Sequence, residues 1–166
     1  MKGLPRSLGR GGAASSGGGS KKTIPLSGTI NVADGAPGFG TKVVGDFPAG
    51  NISLRSAVAY LQVTTADADV IAAFTGNFSF GTAPTADGAL AGAEVDLIAS
   101  TALAAATDKV SPMTRASNVV PLVLDNTDGS LEINLNLLIA DASISGAAAF
   151  TFEGTLYLDY LVLGDD

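Results

Sequence analysis

The sequence predicts an all-β fold: an antiparallel β-sandwich of jelly-roll type, about eight strands, behind an extended N-terminal arm. Three observations predict it. Short apolar runs recur from Thr23 to Asp166, and Gly, Asp and Pro separate them at short intervals. The closing stretch "AAFTFEGTLYLDYLVLGDD" sets Phe150, Phe152, Leu156, Leu158, Tyr160 and Val162 on one parity. Thr151, Glu153, Thr155, Tyr157 and Asp159 take the other, the two-residue period of a strand with one buried face. Gly and Ser dominate from Gly9 to Ser20, which bars a packed element there.

Residues 1–22, "MKGLPRSLGRGGAASSGGGSKK", are therefore expected to be a flexible basic arm that orders on assembly, and residues 23–166 the sandwich. "TIPLSGTINV" opens the body, with Pro25 favouring an edge or a strand start. "ADGAPGFG" is a turn-rich connection, "TKVVGDF" a short strand and "PAG" a corner. "NISLRSAVAYLQVTT" changes phase near Ser56 and Ala57: Ile52 and Leu54 share one parity, Ala57, Ala59, Leu61 and Val63 the other. A bulge, or burial on both faces, explains that change. "AFTGNFSFG" alternates through Phe74, Gly76, Phe78 and Phe80.

Within 82–117, "AEVDLIASTALAAATDKV" reads as a strand followed by coil, or as one Ala-rich helix; Val95 and Leu97 favour the strand. "NVVPLVLD" then enters "NTDG", where Asp128-Gly129 suits a tight hairpin. "SLEINLNLLIA" follows, with Leu131, Ile133, Leu135, Leu137 and Ile139 on one face. "DASISGA" turns into the final strand, so the C-terminal third reads as a meander.

The chemistry available to this chain is narrow. It has no His, Cys or Trp, so disulfides, thiolate or imidazole metal ligands, and Ser-His or Cys-His nucleophiles are excluded. A carboxylate, Lys or Thr enzyme stays chemically open, yet the expectation is no enzyme and no cofactor. "GAPGFGTK" has the letters of a phosphate loop in the wrong order: Gly40 is followed by Thr41 before Lys42, and no helix pattern follows. Asp67 and Asp69 in "TTADADV" read as a solvated turn rather than as an acid–base or calcium pair. Tyr157 stands on the polar parity, as a half-exposed strand residue or a partner contact.

Charge divides the molecule. Lys2, Arg6, Arg10, Lys21 and Lys22 give the first 22 residues +5, while the remaining four bases and sixteen acids give −12. An acidic body repels phosphate, so nucleic acid is not the expected partner. Pro5, Arg6 and Arg10 interrupt any signal-peptide core, and no run nears the ~18 apolar residues of a membrane helix. Synthesis in the cytoplasm and no membrane association are the expectations.

Three stretches, "GDFPAGNISLRSAVAYLQ", "GAEVDLIASTALAAAT" and "DASISGAAAFTFEGTLYLDYLVLGDD", resemble the small jelly-roll cement or decoration proteins of tailed bacteriophage capsids. The resemblance runs from about Thr23 to Asp166 and leaves the arm outside. It implies a location in the virion shell, no catalytic residues, and a symmetric oligomer, commonly a trimer, whose partners are the major capsid protein and copies of itself. In that setting Lys2, Leu4, Pro5, Arg6, Leu8, Arg10, Lys21 and Lys22 are the candidate partner-binding residues of a latch. The alternatives are a self-assembling coat protein with a nucleic-acid-facing arm, another tail or vertex part, or a carbohydrate-binding β module.

Overall fold

The computed structural model describes residues 19–118 and 121–163. Nine strands follow one another: β1 (Ser20–Val32), β2 (Gly38–Asp46), β3 (Ile52–Thr64), β4 (Gly76–Gly81), β5 (Ile98–Ala102), β6 (Val110–Asn118), β7 (Leu122–Leu124), β8 (Glu132–Ile139) and β9 (Ala148–Val162). They form two sheets, ordered β1-β9-β3-β6 and β2-β8-β4-β5, with β7 also paired to β3. All the pairings are antiparallel. β6 and β7 pair with successive parts of β3, so they act as one interrupted strand. Counted so, eight strands lie in the orders 1-8-3-6 and 2-7-4-5, which is jelly-roll connectivity.

The inward faces supply the core. Ile24, Leu26, Ile30 and Val32 of β1 meet Phe150, Phe152, Leu156 and Leu158 of β9 in one layer; Phe78, Phe80, Ile133, Leu135, Leu137 and Ile139 fill the other. Phe74 and Phe150 stand edge to face at 5.4 Å, as do Phe47 and Tyr160 at 5.8 Å. The phase change in β3 is a bulge: its register with β9 slips between Leu54 and Ser56, leaving Arg55 exposed as the extra residue. Ala57, Ala59 and Ala148 are buried inside this sandwich, so their small size serves packing within the chain.

Several sequence expectations are corrected. Asp128-Gly129 does make a tight turn, with Gly129 at φ +71° and its amide bonded to the Asn126 carbonyl at 3.0 Å. It is not a hairpin, because β7 and β8 belong to different sheets. The C-terminal meander is absent for the same reason: β7, β8 and β9 alternate between sheets. In 82–117 the strand reading holds, over Ile98–Ala102 after a 3₁₀ turn at Gly92–Glu94, and β6 is an additional strand. β1 starts at Ser20, so Lys21 and Lys22 stand on the sheet and not in the arm.

The glycines of "GAPGFGTK" have a steric purpose. A Cβ on Gly38 would lie 2.7 Å from the Ala33 carbonyl oxygen, and one on Gly40 2.5 Å from that of Asn31. The chain leaves one sheet and enters the other here, and only glycine lets β2 press against the end of β1.

β8 is buried on both faces. Residues 82–97 cross the outside of its sheet and cover Asn136, whose amide is saturated. Asn136 Oδ1 accepts from the Thr41 hydroxyl at 2.8 Å and the Thr85 amide at 2.9 Å; Nδ2 donates to the Ala83 and Glu94 carbonyls, each at 3.0 Å. Ser79, beside it in β4, also donates to the Glu94 carbonyl, at 2.7 Å. One outer face of the sandwich is thereby largely covered, and the other is left bare.

Candidate interaction surface

The bare face belongs to the β1-β9-β3-β6 sheet. Strand register arranges its outward residues in rows. One row runs Thr23, Tyr157, Val58, Ser117, and the next Pro25, Thr155, Tyr60, Arg115. A third holds Ser27, Glu153 and Gln62. Tyr157 and Tyr60 are diagonal neighbours, edge to face with ring centres 6.3 Å apart, and remain 46% and 39% exposed. Two half-exposed tyrosines sit among Thr, Ser and Val, with Arg115 opposite Tyr60 and Glu153 in the next row as the charges at the patch. Met113 and Val123 add exposed apolar area on β6 and β7.

Beside this pair a shallow groove of about 280 Å³ opens at the start of β1. Lys21, Thr23, Ser56, Val58, Tyr157 and Asp159 line it. The β3 bulge adjoins it. Gly19 passes between Arg55 and Asp159: a Cβ there would lie 2.9 Å from an Arg55 guanidinium nitrogen and 3.2 Å from Asp159 Oδ1. Asp159 Oδ1 is buried and lacks a hydrogen-bond partner among the described residues.

Of the residues named for the arm, Lys2, Leu4, Pro5, Arg6, Leu8 and Arg10 lie outside the described residues. Lys22 is committed inside the molecule: its ammonium donates to the Asp46 carbonyl at 2.5 Å and meets the Asp46 carboxylate at 3.3 Å, tying β1 to the end of β2. Lys21 is exposed at the groove, opposite Asp159. Tyr157 is where its parity placed it. Tyr60 and Val58 escaped the sequence reading, because only cross-strand register brings them beside Tyr157.

Three carboxylates, Asp67, Asp96 and Asp128, hold backbone or side-chain hydrogen bonds of their own loops. Asp67 Oδ1 accepts the Asp69 amide at 3.1 Å and Oδ2 the Ala149 amide at 3.2 Å, and these bonds hold its pKa below the ordinary 3.8. The Lys109 ammonium donates to the Asp67 carbonyl. Asp128 caps its own turn, accepting the Ser130 amide and hydroxyl at 2.9 and 2.7 Å, and is likewise lowered. Asp96 shifts the other way: burial raises it, against hydrogen bonds from the Thr82 amide and hydroxyl at 2.9 and 2.6 Å. Among the described residues no three carboxylates gather as a metal site would require, and no helix is long and apolar enough to cross a membrane.

No protein-family model matches the chain, and no curated protein matches it. Among solved structures, one of infectious bursal disease virus strain Gx aligns at TM-score 0.36 and 10% identity, over 85% of this chain and 33% of that one. The arabinose-bound α-L-arabinofuranosidase MgGH51 aligns at TM-score 0.34 and 12% identity, over 82% of this chain and 23% of its own. The chain thus spans a third or less of the length of either. The likeness ends there.

Proposed function

We propose that this protein is a non-enzymatic structural component of a virus particle, a cement protein that bridges and stabilises major capsid protein subunits of a tailed bacteriophage. The observation that carries the reading is the bare, tyrosine-centred face beside the root of a basic arm, on a stiff jelly roll whose opposite face is largely covered. A slab with one available face suits a protein whose task is to lie against something. Asp67 and Asp128 cap turns and Asp96 pins a loop, which fits a scaffold better than a catalyst. The stretches that resemble phage decoration proteins add the shell as the location, the major capsid protein and further copies of the chain as partners, and a trimer as the assembly. In this reading Lys2, Leu4, Pro5, Arg6, Leu8, Arg10 and Lys21 latch the arm to a neighbour, and symmetry multiplies modest contacts into firm attachment.

The double variant Tyr60→Ser, Tyr157→Ser tests it. Both side chains are half exposed but pack edge to face, so the protein should lose about 1–3 kcal/mol and remain folded, checked by its urea midpoint. Binding to shells lacking the protein, measured by co-sedimentation, should fall about tenfold or more. Undiminished binding by the double variant, or virus particles that contain no copies of the protein, would overturn the reading.

A further inference from the structure

The covered sheet leaves one row open. Residues 82–97 lie over Asn136 and Ser79, but the next row, Phe39, Leu138, Asn77 and Ala102, is uncovered where β2 and β4 begin. There a groove of about 440 Å³ is lined by Gly76, Asn77, Ala102, Leu103, Ala105 and Leu138, mostly small or apolar. Four connections crowd this end of the sandwich: β1–β2, β3–β4, β5–β6 and β8–β9. They carry Asp34, Asp67, Asp69, Asp108 and Asp141 against Lys109 alone, five acids to one base, a net of −4.

We propose that this groove receives residues 4–8 of a second copy of the chain, Leu4, Pro5 and Leu8 being the side chains that fill it. The inference rests on the latch reading above and names where the latch lands. Charge supports the match: residues 1–18 hold Lys2, Arg6 and Arg10 and no acid, +3 facing −4. Basic residues flanking a short apolar segment would meet the acidic connections while the segment enters a groove floored by small side chains.

Reach supports a neighbour's groove over the chain's own. β1 begins beside Asp46 at the opposite end of the sandwich, and its 13 residues, twelve steps of about 3.3 Å, span about 40 Å. Leu8 precedes Gly19 by 11 residues, at most ~36–40 Å of fully extended chain. Its own groove is nearer than β1 is long, since Phe39 in its row stands seven residues of β2, about 23 Å, from Asp46. That groove lies on the other sheet, however, and Leu8 would reach it only with the intervening chain almost fully extended, at a large cost in conformational entropy. A neighbouring copy that brings its acidic end beside the start of β1 is within reach.

The absence of cysteine gives a clean test. Full-length Leu8→Cys is mixed with full-length Ala102→Cys under mild oxidation, and with Ser117→Cys, exposed on the other sheet, as the control. A two-chain disulfide product should form about tenfold more with Ala102→Cys than with Ser117→Cys, because docking raises local concentration to about the millimolar range. Adding Asp34→Asn and Asp141→Asn to the Ala102→Cys chain should cut the yield. Equal yields with the two acceptors overturn the assignment, as does a yield indifferent to the two acids. Shell co-sedimentation is measured alongside: attachment that still depends on residues 1–18 while the groove gives no cross-link leaves the latch standing and removes only its landing site.

Discussion

Asn136 shows most plainly how one side chain fixes a surface. It is fully buried on a strand whose outer face would otherwise be wet, and all four of its hydrogen-bonding positions are filled, three by residues 83–94. Replacing it with Ala strands the Thr85 amide and the Ala83 carbonyl in a dry site and leaves the Glu94 carbonyl with the Ser79 hydroxyl alone. Unfolding stability should fall by roughly 2–4 kcal/mol, seen as a lower urea midpoint at unchanged slope. An unchanged midpoint would mean that residues 82–97 stay in place without it. Asn134, two positions earlier, is equally buried, yet neither amide atom has a partner among the described residues. Alternation in "SLEINLNLLIA" made Leu131, Ile133, Leu135, Leu137 and Ile139 one face, but could not reveal that the Asn face is buried too. What covers it comes from far along the chain.

At the level of elements, parity was legible and partnership was not. β9 has the period its letters announce through Tyr160, with Val162 exposed at its end, and the phase change at Ser56 is a bulge with Arg55 displaced. The turn at Asp128-Gly129 was legible as a turn, since Gly129 takes a positive φ, but its letters do not say which sheet the next strand joins. The same blindness hid Tyr60: its opposition to Thr155, one row from Tyr157, is a matter of register between strands far apart in sequence. The turns make their own prediction. Asp67 and Asp128 have folded-state pKa values below 3.8, so their stabilising effect is complete above that pH and is lost as pH falls through the lowered values. Asp67→Ala and Asp128→Ala should each lower Tm near neutrality, and the difference from the parent protein should shrink toward about pH 2. A constant difference across that range would assign the loss to packing instead of charge.

For the whole molecule, the alternation of strands between sheets matters most. β1, β2, β3 and β4 change sheet at every step, as do β7, β8 and β9, so apart from β4 and β5 no two paired strands are neighbours in sequence. Non-local closure must come first, and refolding should take milliseconds to seconds, at the slow end for a domain of this size. Native-state hydrogen exchange should show the most protected amides of both sheets opening together; one sheet exchanging while the other stays protected would contradict this.

The two border strands of the tyrosine-bearing sheet, β1 and β6, each contain a proline, Pro25 and Pro112. A proline nitrogen has no hydrogen to offer an incoming strand, so further molecules are discouraged from zipping on to lengthen the sheet into a fibre. Even in crowded solution, association is steered toward flat faces and terminal segments, whose geometry can close on itself.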